Sequence, residues 1–211
     1  MLDNKGFDLW ADGYDKTVGL SDEEDSYPFA GYKEVLARIY QLVLTKEKAK
    51  VLDIGFGTGT LTKRLYEQGC EIWGQDFSSR MIELASAKMP NAHLFQADFS
   101  QDLAEPILQN SYDFIIATYA LHHLDDDRKI SFIKAMRGML NESGVILIGD
   151  VAFANRQDLE LCRERAGAEW DDEEIYFVFD ELQKAFPTMK FEQISYCAGV
   201  LSLIKQLKNK I

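Results

Sequence analysis

Three glycines at alternate positions, Gly55, Gly57 and Gly59, separate an apolar run from a segment with helical spacing. Residues 51–54 are typical of a buried strand, and residues 60–68 have the pattern of a short helix. Glycine permits a tight turn and a close approach of the backbone to a ligand, and the helix N-terminus that follows offers free N–H groups to an anion. The segment therefore predicts a ligand-binding turn, although a plain strand-to-helix turn has the same pattern.

A helical segment at 28–44 is followed, between residues 51 and 149, by short apolar runs that alternate with further helical segments. The apolar runs predict strands, and the helical spacing predicts helices, at the following positions: strands at 51–54, 71–75, 93–96, 114–117 and 145–149, and helices at 28–44, 60–68, 79–88 and 127–140. Strands separated by helices of this length pair in parallel, with helices on both faces of the sheet.

The last third of the chain has a different pattern. Residues 156–170 and 180–185 predict helices, and residues 191–196 and 200–204 predict two strands joined by a turn at Ala198-Gly199. Strands joined in this way form an antiparallel hairpin, which we expect at one sheet edge. The predicted fold is therefore α/β, a doubly wound, mostly parallel seven-stranded sheet with an antiparallel C-terminal hairpin.

The charge balance excludes one large class of function. The chain has 211 residues with 35 acidic and 23 basic side chains, a formal net charge of −12. Nucleic-acid binding depends on Lys and Arg that neutralise phosphates, so we expect no nucleic-acid partner. A chain of this length is expected to form one domain with a sizeable core.

Cysteine usage and hydropathy predict the compartment. Cys70, Cys162 and Cys197 are far apart and fit neither a disulfide framework nor a C-x-x-C site. The first ten residues lack the apolar region of a signal peptide, and no apolar stretch approaches the length of a membrane span. We therefore expect a cytoplasmic protein with no membrane partner.

Acidic residues follow the first three predicted strands. Asp53 ends the first strand, where a nicotinamide-binding domain usually has an apolar residue. The glycine spacing is G-x-G-x-G rather than the G-x-G-x-x-G of dinucleotide-binding domains, because position 60, where that motif has its third glycine, is Thr60. Asp76 ends the second strand, where an acidic residue accepts hydrogen bonds from ribose hydroxyls in doubly wound sheets. Asp98 follows the third strand, a position that also suits a surface turn. We expect these carboxylates and the glycine loop to line one crevice.

Together these motifs resemble those of class I S-adenosylmethionine-dependent methyltransferases, specifically the small bacterial ones whose substrates are often unassigned. The resemblance covers about residues 7–151. The acidic-x-G-x-G-x-G motif of that family matches residues 53–59. Its hydrophobic-Asp-x-Ser-x-x-Met pattern matches residues 76–81, with Gln75 in place of the usual apolar residue. Asp98 matches the acid that contacts adenine in the family.

The resemblance implies a cofactor, S-adenosylmethionine, and the residues that bind it. The carboxylate end of the cofactor suits the glycine loop and the helix N-terminus, the ribose suits Asp76, and the adenine amino group suits Asp98. The cofactor-binding residues implied in this way are Asp53, Gly55, Gly57, Gly59, Asp76, Phe77, Met81, Asp98, Phe99 and Thr118. It also implies a single domain over 1–211, with an N-terminal cap and helix (1–45), a cofactor-binding core (46–151) and a substrate-side segment with the hairpin (152–211).

Methyl transfer requires an in-line approach of the acceptor to the methyl carbon, so the protein contributes mainly positioning and the exclusion of water. A general base is needed only where the acceptor must lose a proton. His122 and His123, just past the fourth strand, are candidates for that base, although adjacent histidines also occur at a helix start without a catalytic role. Tyr14, near Trp10 in a segment resembling one that closes over the cofactor, is a candidate for contacting the sulfonium with its ring. Ordinary packing is the alternative.

Other charged residues on the substrate side are less specific. Asp150 ends the fifth strand and either faces the substrate or caps the next helix. The acidic runs at 22–25 and 169–174 are expected to be solvated faces, with attraction of a cationic acceptor as the alternative. No metal site is predicted, because neighbouring histidines point apart and no Cys, Asp or Glu ligand set at familiar spacing accompanies them.

Two other functions fit parts of the pattern. An NAD-dependent oxidoreductase is disfavoured by the loop spacing, by Asp53 and by the absence of a Tyr-x-x-x-Lys pair. A catalytically silent cofactor-binding or partner protein on the same fold is disfavoured by the intact glycine motif. We predict a methyltransferase with a small-molecule acceptor, since residues 118–121 differ from the Asn/Asp-Pro-Pro-Tyr of nucleic-acid base methylation. The acceptor atom and the oligomeric state, monomer or homodimer, remain open.

Overall fold

The computed structural model describes residues 26–205, so Trp10, Tyr14 and the acidic run at 22–25 lie outside the described residues. The helices are α1 (Tyr32–Val43), α2 (Thr60–Glu67), α3 (Ser79–Lys88), α4 (Glu105–Leu108), α5 (Asp126–Gly138), α6 (Arg156–Ala166) and α7 (Phe179–Leu182). The strands are β1 (Lys50–Ile54), β2 (Glu71–Asp76), β3 (His93–Gln96), β4 (Tyr112–Thr118), β5 (Leu140–Phe153), β6 (Phe177–Val178), β7 (Lys190–Gln193) and β8 (Ala198–Ile204). Two one-turn 3₁₀ helices cover Leu121–His123 and Gly167–Glu169.

One sheet with the order β3-β2-β1-β4-β5-β8-β7 forms the centre of the molecule. Strands β1 to β5 pair in parallel, and β8 pairs antiparallel with both β5 and β7. The chain order reverses between β1 and β4, which is the position where open α/β sheets bind ligands at the carboxyl ends of their strands. The predicted fold class is confirmed, and the two-residue strand β6 adds an eighth strand beside β5.

Alternate residues of the central strands enter two hydrophobic cores, one on each face of the sheet. On β1, Val51 belongs to one core and Leu52 to the other. Helix α1 buries Val35, Ile39 and Val43 in the first core, and α5 adds residues to the second. Because both faces are covered, the central strands β1 and β4 are almost wholly buried, as their apolar runs predict, whereas the edge strands β3 and β7 are not.

The C-terminal hairpin differs from its prediction. Ala198 and Gly199 lie inside β8, and the connection is formed by residues 194–197. A Cβ atom at position 199 would lie 2.3 Å from the ring of Phe191 on β7. The glycine is therefore required by close cross-strand packing, and the prediction of a turn at these residues is wrong.

Two helices begin or end a few residues away from the predicted positions. Helix α1 begins at Tyr32 after Gly31, whose φ of 78° is left-handed, so Pro28 lies in the preceding turn. The predicted helix at 156–170 ends at Ala166, because Gly167 has a φ of 56° that interrupts it. Within residues 26–205 no helix is long and apolar enough to cross a bilayer.

Candidate active site

A cavity of about 600 Å³ lies at the carboxyl ends of β1, β2 and β4, where the strand order reverses. One part of its wall, here the glycine-loop half, consists of Asp53, Gly55, Phe56, Gly57, Thr58, Thr60, Leu61, Asp76, Phe77, Met81, Phe99 and Thr118. The other part, the histidine half, consists of Phe29, Tyr32, Tyr119, Ala120, His122, His123 and the carboxylates of Asp171, Glu173 and Glu174. The two halves share one cavity, so ligands bound in each half would meet inside it.

The glycine loop between β1 and α2 is held in a left-handed conformation by its glycines. Gly55 and Gly57 have φ values of 68° and 56°. The amide of Gly57 donates to Asp76 Oδ2 (2.9 Å), and the amide of Ser78 donates to Asp76 Oδ1 (2.9 Å). A Cβ atom at Gly57 would meet no atom within 4 Å, so this residue exposes bare backbone on the cavity wall.

Asp53 is a buried carboxylate with one partnered oxygen. Its Oδ2 accepts a hydrogen bond from the Thr62 hydroxyl, whereas its Oδ1 is buried without a hydrogen-bond partner. Burial raises the pKa of Asp53 to about 7, against the opposing effect of the Thr62 bond. A buried acceptor atom on a cavity wall fits a ligand that brings a donor, and a cationic donor most of all.

Four other predicted cofactor residues, Phe77, Met81, Phe99 and Thr118, also line the cavity. Gly59 does not line it. Gly59 is the N-cap of α2, and a Cβ atom there would lie 3.1 Å from the end of the Met89 side chain, so its glycine serves helix packing.

Asp98 lies outside the cavity wall in the structure. Its Oδ1 accepts from the amide of Ser100 (2.8 Å) and its Oδ2 accepts from Gln101 Nε2 (3.0 Å), which together hold a turn after β3. Its contact with adenine therefore stays a prediction. Gln75, the departure from the family pattern, is fully buried and bonds the carbonyl of Asp102 and the amide of Ala104. It thereby anchors the chain that follows this turn.

His122 is the centre of the histidine half. Its Nδ1 donates to Asp150 Oδ1 (2.7 Å), and its Nε2 lies 3.4 Å from Glu174 Oε1. Burial by itself would lower the pKa of His122, but the charge and hydrogen bond of Asp150, together with the charge of Glu174, raise it above its ordinary value. The side chain is therefore fixed in orientation and stabilised as a cation.

His123 lies beside His122, with ring centroids 4.3 Å apart. Burial, followed by the charge of His122, lowers the pKa of His123 to about 4, so its ring is neutral at pH 7. Ligand atoms of His122, His123 and Glu174 all lie within 4.8 Å of one another. The expectation that the two histidines point apart is wrong, because they lie on a 3₁₀ turn, where successive side chains are about 120° apart rather than opposite.

Asp150 has neither of the roles predicted for it. It is fully buried behind His122, and Asn155 rather than Asp150 caps helix α6. The amide of Val151 donates to Asp150 Oδ1 (2.8 Å), and Oδ2 has no hydrogen-bond partner. The carboxylate therefore orients and charges His122 and does not touch a ligand in the cavity itself.

Residues 167–178, here the strap, bring the second acidic run to the cavity. Asp171 and Glu173 are exposed, as predicted, but they line the cavity as well, and Glu174 turns inward to His122. The strap is attached by β6, by the amide of Ile175 donating to the carbonyl of His122 (2.9 Å) and by Lys129 Nζ donating to the carbonyl of Ile175.

Aromatic side chains support the strap from outside the cavity. Tyr27 stacks on Trp170 with ring centroids 5.2 Å apart, and Tyr176 meets both rings edge-on. The hydroxyl of Tyr176 donates to Glu174 Oε2 (2.8 Å), which fixes the carboxylate that faces His122. No pattern in the sequence predicts this hydrogen bond.

Four aromatic residues that line the cavity are not among the predicted site residues, and one of them, Phe56, lies in the glycine loop. Phe29 and Tyr32 were assigned to a helix face by their spacing, and Tyr119 was noted only as part of residues 118–121. Tyr119 has a φ of 49°, uncommon for a residue with a side chain, at the junction of β4 and the histidine turn. The ring centroids of Tyr32 and Tyr119 are 5.1 Å apart.

Comparisons with known proteins agree with this architecture. A family model described as a methyltransferase domain matches residues 51–144. A protein of Geobacillus sp. (strain WCH70) named an uncharacterized methyltransferase is 35% identical over 212 residues, covering 95% of this chain and 96% of the relative.

Solved structures share the fold. A complex of DhpI with SAH has a TM-score of 0.69 at 18% identity and covers 94% of this chain and 93% of its own. Magnesium protoporphyrin IX methyltransferase from Synechocystis PCC 6803, with bound SAH, has a TM-score of 0.66 at 16% identity and covers 84% and 85% of the two chains.

Sheet order, glycine loop and relatives together define a class I S-adenosylmethionine-dependent methyltransferase. The chain belongs to the same methyltransferase family as the Geobacillus relative, and S-adenosylmethionine is its cofactor. Neither an NAD-dependent oxidoreductase nor a catalytically silent protein is favoured by these findings.

Proposed function

We propose that this methyltransferase transfers the methyl group of S-adenosylmethionine to a small-molecule acceptor bound in the histidine half of the cavity. The observation that carries the proposal is that one cavity of about 600 Å³ joins the glycine loop to His122, His123 and Glu174. This volume is in the range of small-ligand sites. The net charge of −12 also favours a small acceptor over a nucleic acid.

The glycine-loop half would hold the cofactor. The amino end of α2 would receive the cofactor's carboxylate, close to the bare backbone of Gly57, whose amide donates to Asp76. The unpartnered Oδ1 of Asp53 suits the ammonium group of the cofactor. The two oxygens of Asp76 accept from the amides of Gly57 and Ser78, and because a carboxylate oxygen can accept more than one hydrogen bond, Asp76 suits the ribose hydroxyls. Phe77, Met81, Phe99 and Thr118 would complete the wall, with Asp98 near the adenine end.

Bound S-adenosylmethionine supplies an activated methyl group on a sulfonium. This chain's residues would align the acceptor, exclude water and promote loss of the acceptor's proton where it has one to lose. His122, His123 and Glu174 are titratable groups that converge at that end of the cavity, and Asp150 orients His122. Tyr14 would contact the sulfonium from the N-terminal segment.

The carboxylates of Asp171, Glu173 and Glu174 beside Phe29, Tyr32 and Tyr119 favour an acceptor with a cationic group. We also propose a cytoplasmic location and one domain over 1–211, divided at 45/46 and 151/152 as predicted above.

Calorimetric titration with S-adenosylhomocysteine, with NADH as the control ligand, tests the cofactor half of the proposal. We expect saturable binding of S-adenosylhomocysteine alone. Methyl transfer from labelled S-adenosylmethionine to a panel of amines, alcohols and thiols of fewer than about 20 heavy atoms then tests the acceptor. Transfer only to protein or nucleic acid would contradict a small-molecule acceptor.

A further inference from the structure

Two imidazoles and one carboxylate converge in the histidine half. Ligand atoms of His122, His123 and Glu174 lie within 4.8 Å of one another, and all three residues line the cavity. Within residues 26–205 this is the one group of three His, Cys, Asp or Glu side chains with such geometry. Two histidines with one carboxylate and open positions are a recurrent ligand set for catalytic transition metals.

Two of the three ligands are held by a second layer of hydrogen bonds. Asp150 accepts from His122 Nδ1 (2.7 Å), which leaves Nε2 directed at Glu174. The hydroxyl of Tyr176 donates to Glu174 Oε2 (2.8 Å), which leaves Oε1 directed at His122. A carboxylate on the far nitrogen of a histidine is the usual partner of a metal-binding imidazole, because it fixes the tautomer and the ring orientation.

The separation of the two oriented atoms matches a coordination sphere. His122 Nε2 and Glu174 Oε1 are 3.4 Å apart. Two ligand atoms each about 2.1 Å from a tetrahedral ion lie about 3.4 Å from each other. The distance is longer than that of a strong charge-assisted hydrogen bond, which is 2.7–2.9 Å for N–H and carboxylate oxygen in general.

We propose that His122, His123 and Glu174 bind a divalent transition metal ion of the Zn²⁺ type, with at least one coordination position open to the cavity. This inference rests on the proposed function, because the open position would take the acceptor. A metal ion lowers the pKa of a hydroxyl or thiol that it binds. The acceptor O–H or S–H releases its proton to solvent, and its lone pair forms the bond to the methyl carbon as the carbon–sulfur bond of the sulfonium breaks.

A titration of the full chain with Zn²⁺ tests this inference directly. Protein stripped with a chelator is titrated with Zn²⁺ in competition with a chromophoric chelator, and Co²⁺ is used as a spectroscopic substitute. We expect one ion per chain and a visible Co²⁺ absorption typical of four-coordinate nitrogen and oxygen ligands. His123→Ala and Glu174→Gln should each weaken Zn²⁺ binding by at least about tenfold. His122→Ala is avoided because it leaves Asp150 buried without its partner.

Matched controls are Glu173→Gln, which changes a neighbouring carboxylate on the same wall, and His93→Ala, which removes the histidine on β3. Both should bind Zn²⁺ as the unchanged protein does. Absence of stoichiometric binding, or binding that neither His123→Ala nor Glu174→Gln weakens, overturns the inference. Circular dichroism confirms that each variant is folded.

S-adenosylhomocysteine titrations of the same samples separate the two proposals. Cofactor binding without Zn²⁺ binding overturns the metal site alone. Zn²⁺ binding by an unchanged chain that binds no cofactor overturns the proposed function and leaves the ion without its assigned role.

Discussion

The two halves of the cavity are stabilised by different kinds of contact. In the glycine-loop half, left-handed glycines and backbone amides that donate to Asp76 fix the shape of the wall. In the histidine half, side chains hold side chains, from Asp150 through His122 and Glu174 to Tyr176. The first half therefore selects a ligand by backbone shape, and the second by titratable groups. Changes in the first should alter cofactor affinity, and changes in the second should not.

The largest loss of cofactor affinity is expected for Gly57→Ala. The added Cβ meets no protein atom and projects from the cavity wall, so it blocks the ligand's approach to the backbone. We expect calorimetry to show S-adenosylhomocysteine binding weakened by about 100-fold or more.

Gly69→Ala is the matched control. Gly69 also has a left-handed φ of 84° with open space around its Cβ position, but it does not line the cavity. Both variants should lose about 1 kcal/mol of stability from backbone strain. Equal cofactor affinity in the two variants would show that Gly57 does not contact the ligand.

Asp76→Asn is expected to have the next largest effect. The amide keeps the size of the side chain but removes the charge and part of the acceptor capacity that suits ribose hydroxyls. We expect a loss of roughly 1–3 kcal/mol in S-adenosylhomocysteine binding. Unchanged affinity, measured by calorimetry with thermal unfolding as a check on the fold, would remove Asp76 from the site.

Asp53 predicts a pH dependence of cofactor binding. Its pKa of about 7 leaves the carboxyl neutral in acid and charged in mild alkali. The affinity for S-adenosylhomocysteine should therefore rise by up to about tenfold per pH unit below 7 and level off above it. In Asp53→Asn this dependence should be flat, and an unchanged pH profile in that variant would contradict the assignment.

The raised pKa of Asp53 also predicts how the stability of the folded chain depends on pH. The folded-state pKa of Asp53 lies above its unfolded value of 3.8, so the folded chain holds this proton more tightly. The resulting contribution to stability is fully present below pH 4 and is lost as the pH rises towards 7. Urea unfolding at several pH values, compared with Asp53→Asn, measures it.

The smallest effect on cofactor affinity is expected in the histidine half. His123→Ala and Glu174→Gln should change S-adenosylhomocysteine affinity by less than about threefold, because their contacts are separate from the glycine loop. Methyl transfer to an acceptor should fall by about 100-fold. Cofactor affinity that falls as far as in Asp76→Asn would mean that the two halves are not separable.

The glycine-loop half was largely predictable because its signals are local. Asp53, Gly55, Gly57 and Asp76 lie at ends of consecutive strands, and parallel pairing brings those ends together without further information. Helix α3 was predicted to its observed bounds, since Ser78 caps it by accepting from the amide of Met81 (3.1 Å).

The histidine half was not predictable in the same way. It combines residues 27–32, 118–123, 150 and 170–176, which are distant in sequence and meet only in the folded chain. Glu174 reaches His122 because β6 pairs with β5, and a strand of two residues has no periodicity to detect. The role of Gly199 was misassigned for a similar reason, since its neighbour Phe191 lies on another strand.

The short length of β6 also bears on how fast ligands enter and leave the cavity. The strap is attached to the sheet through this two-residue strand and a few bonds of Ile175. Few backbone hydrogen bonds favour local opening of a segment below the free energy of global unfolding, whereas the burial of Tyr176, Phe177 and Val178 opposes it. Because the strap forms one wall of the cavity, we expect ligands to exchange faster when the strap opens, and such steps limit turnover in many enzymes. Pairing one more residue of the strap with β5 should therefore slow ligand exchange.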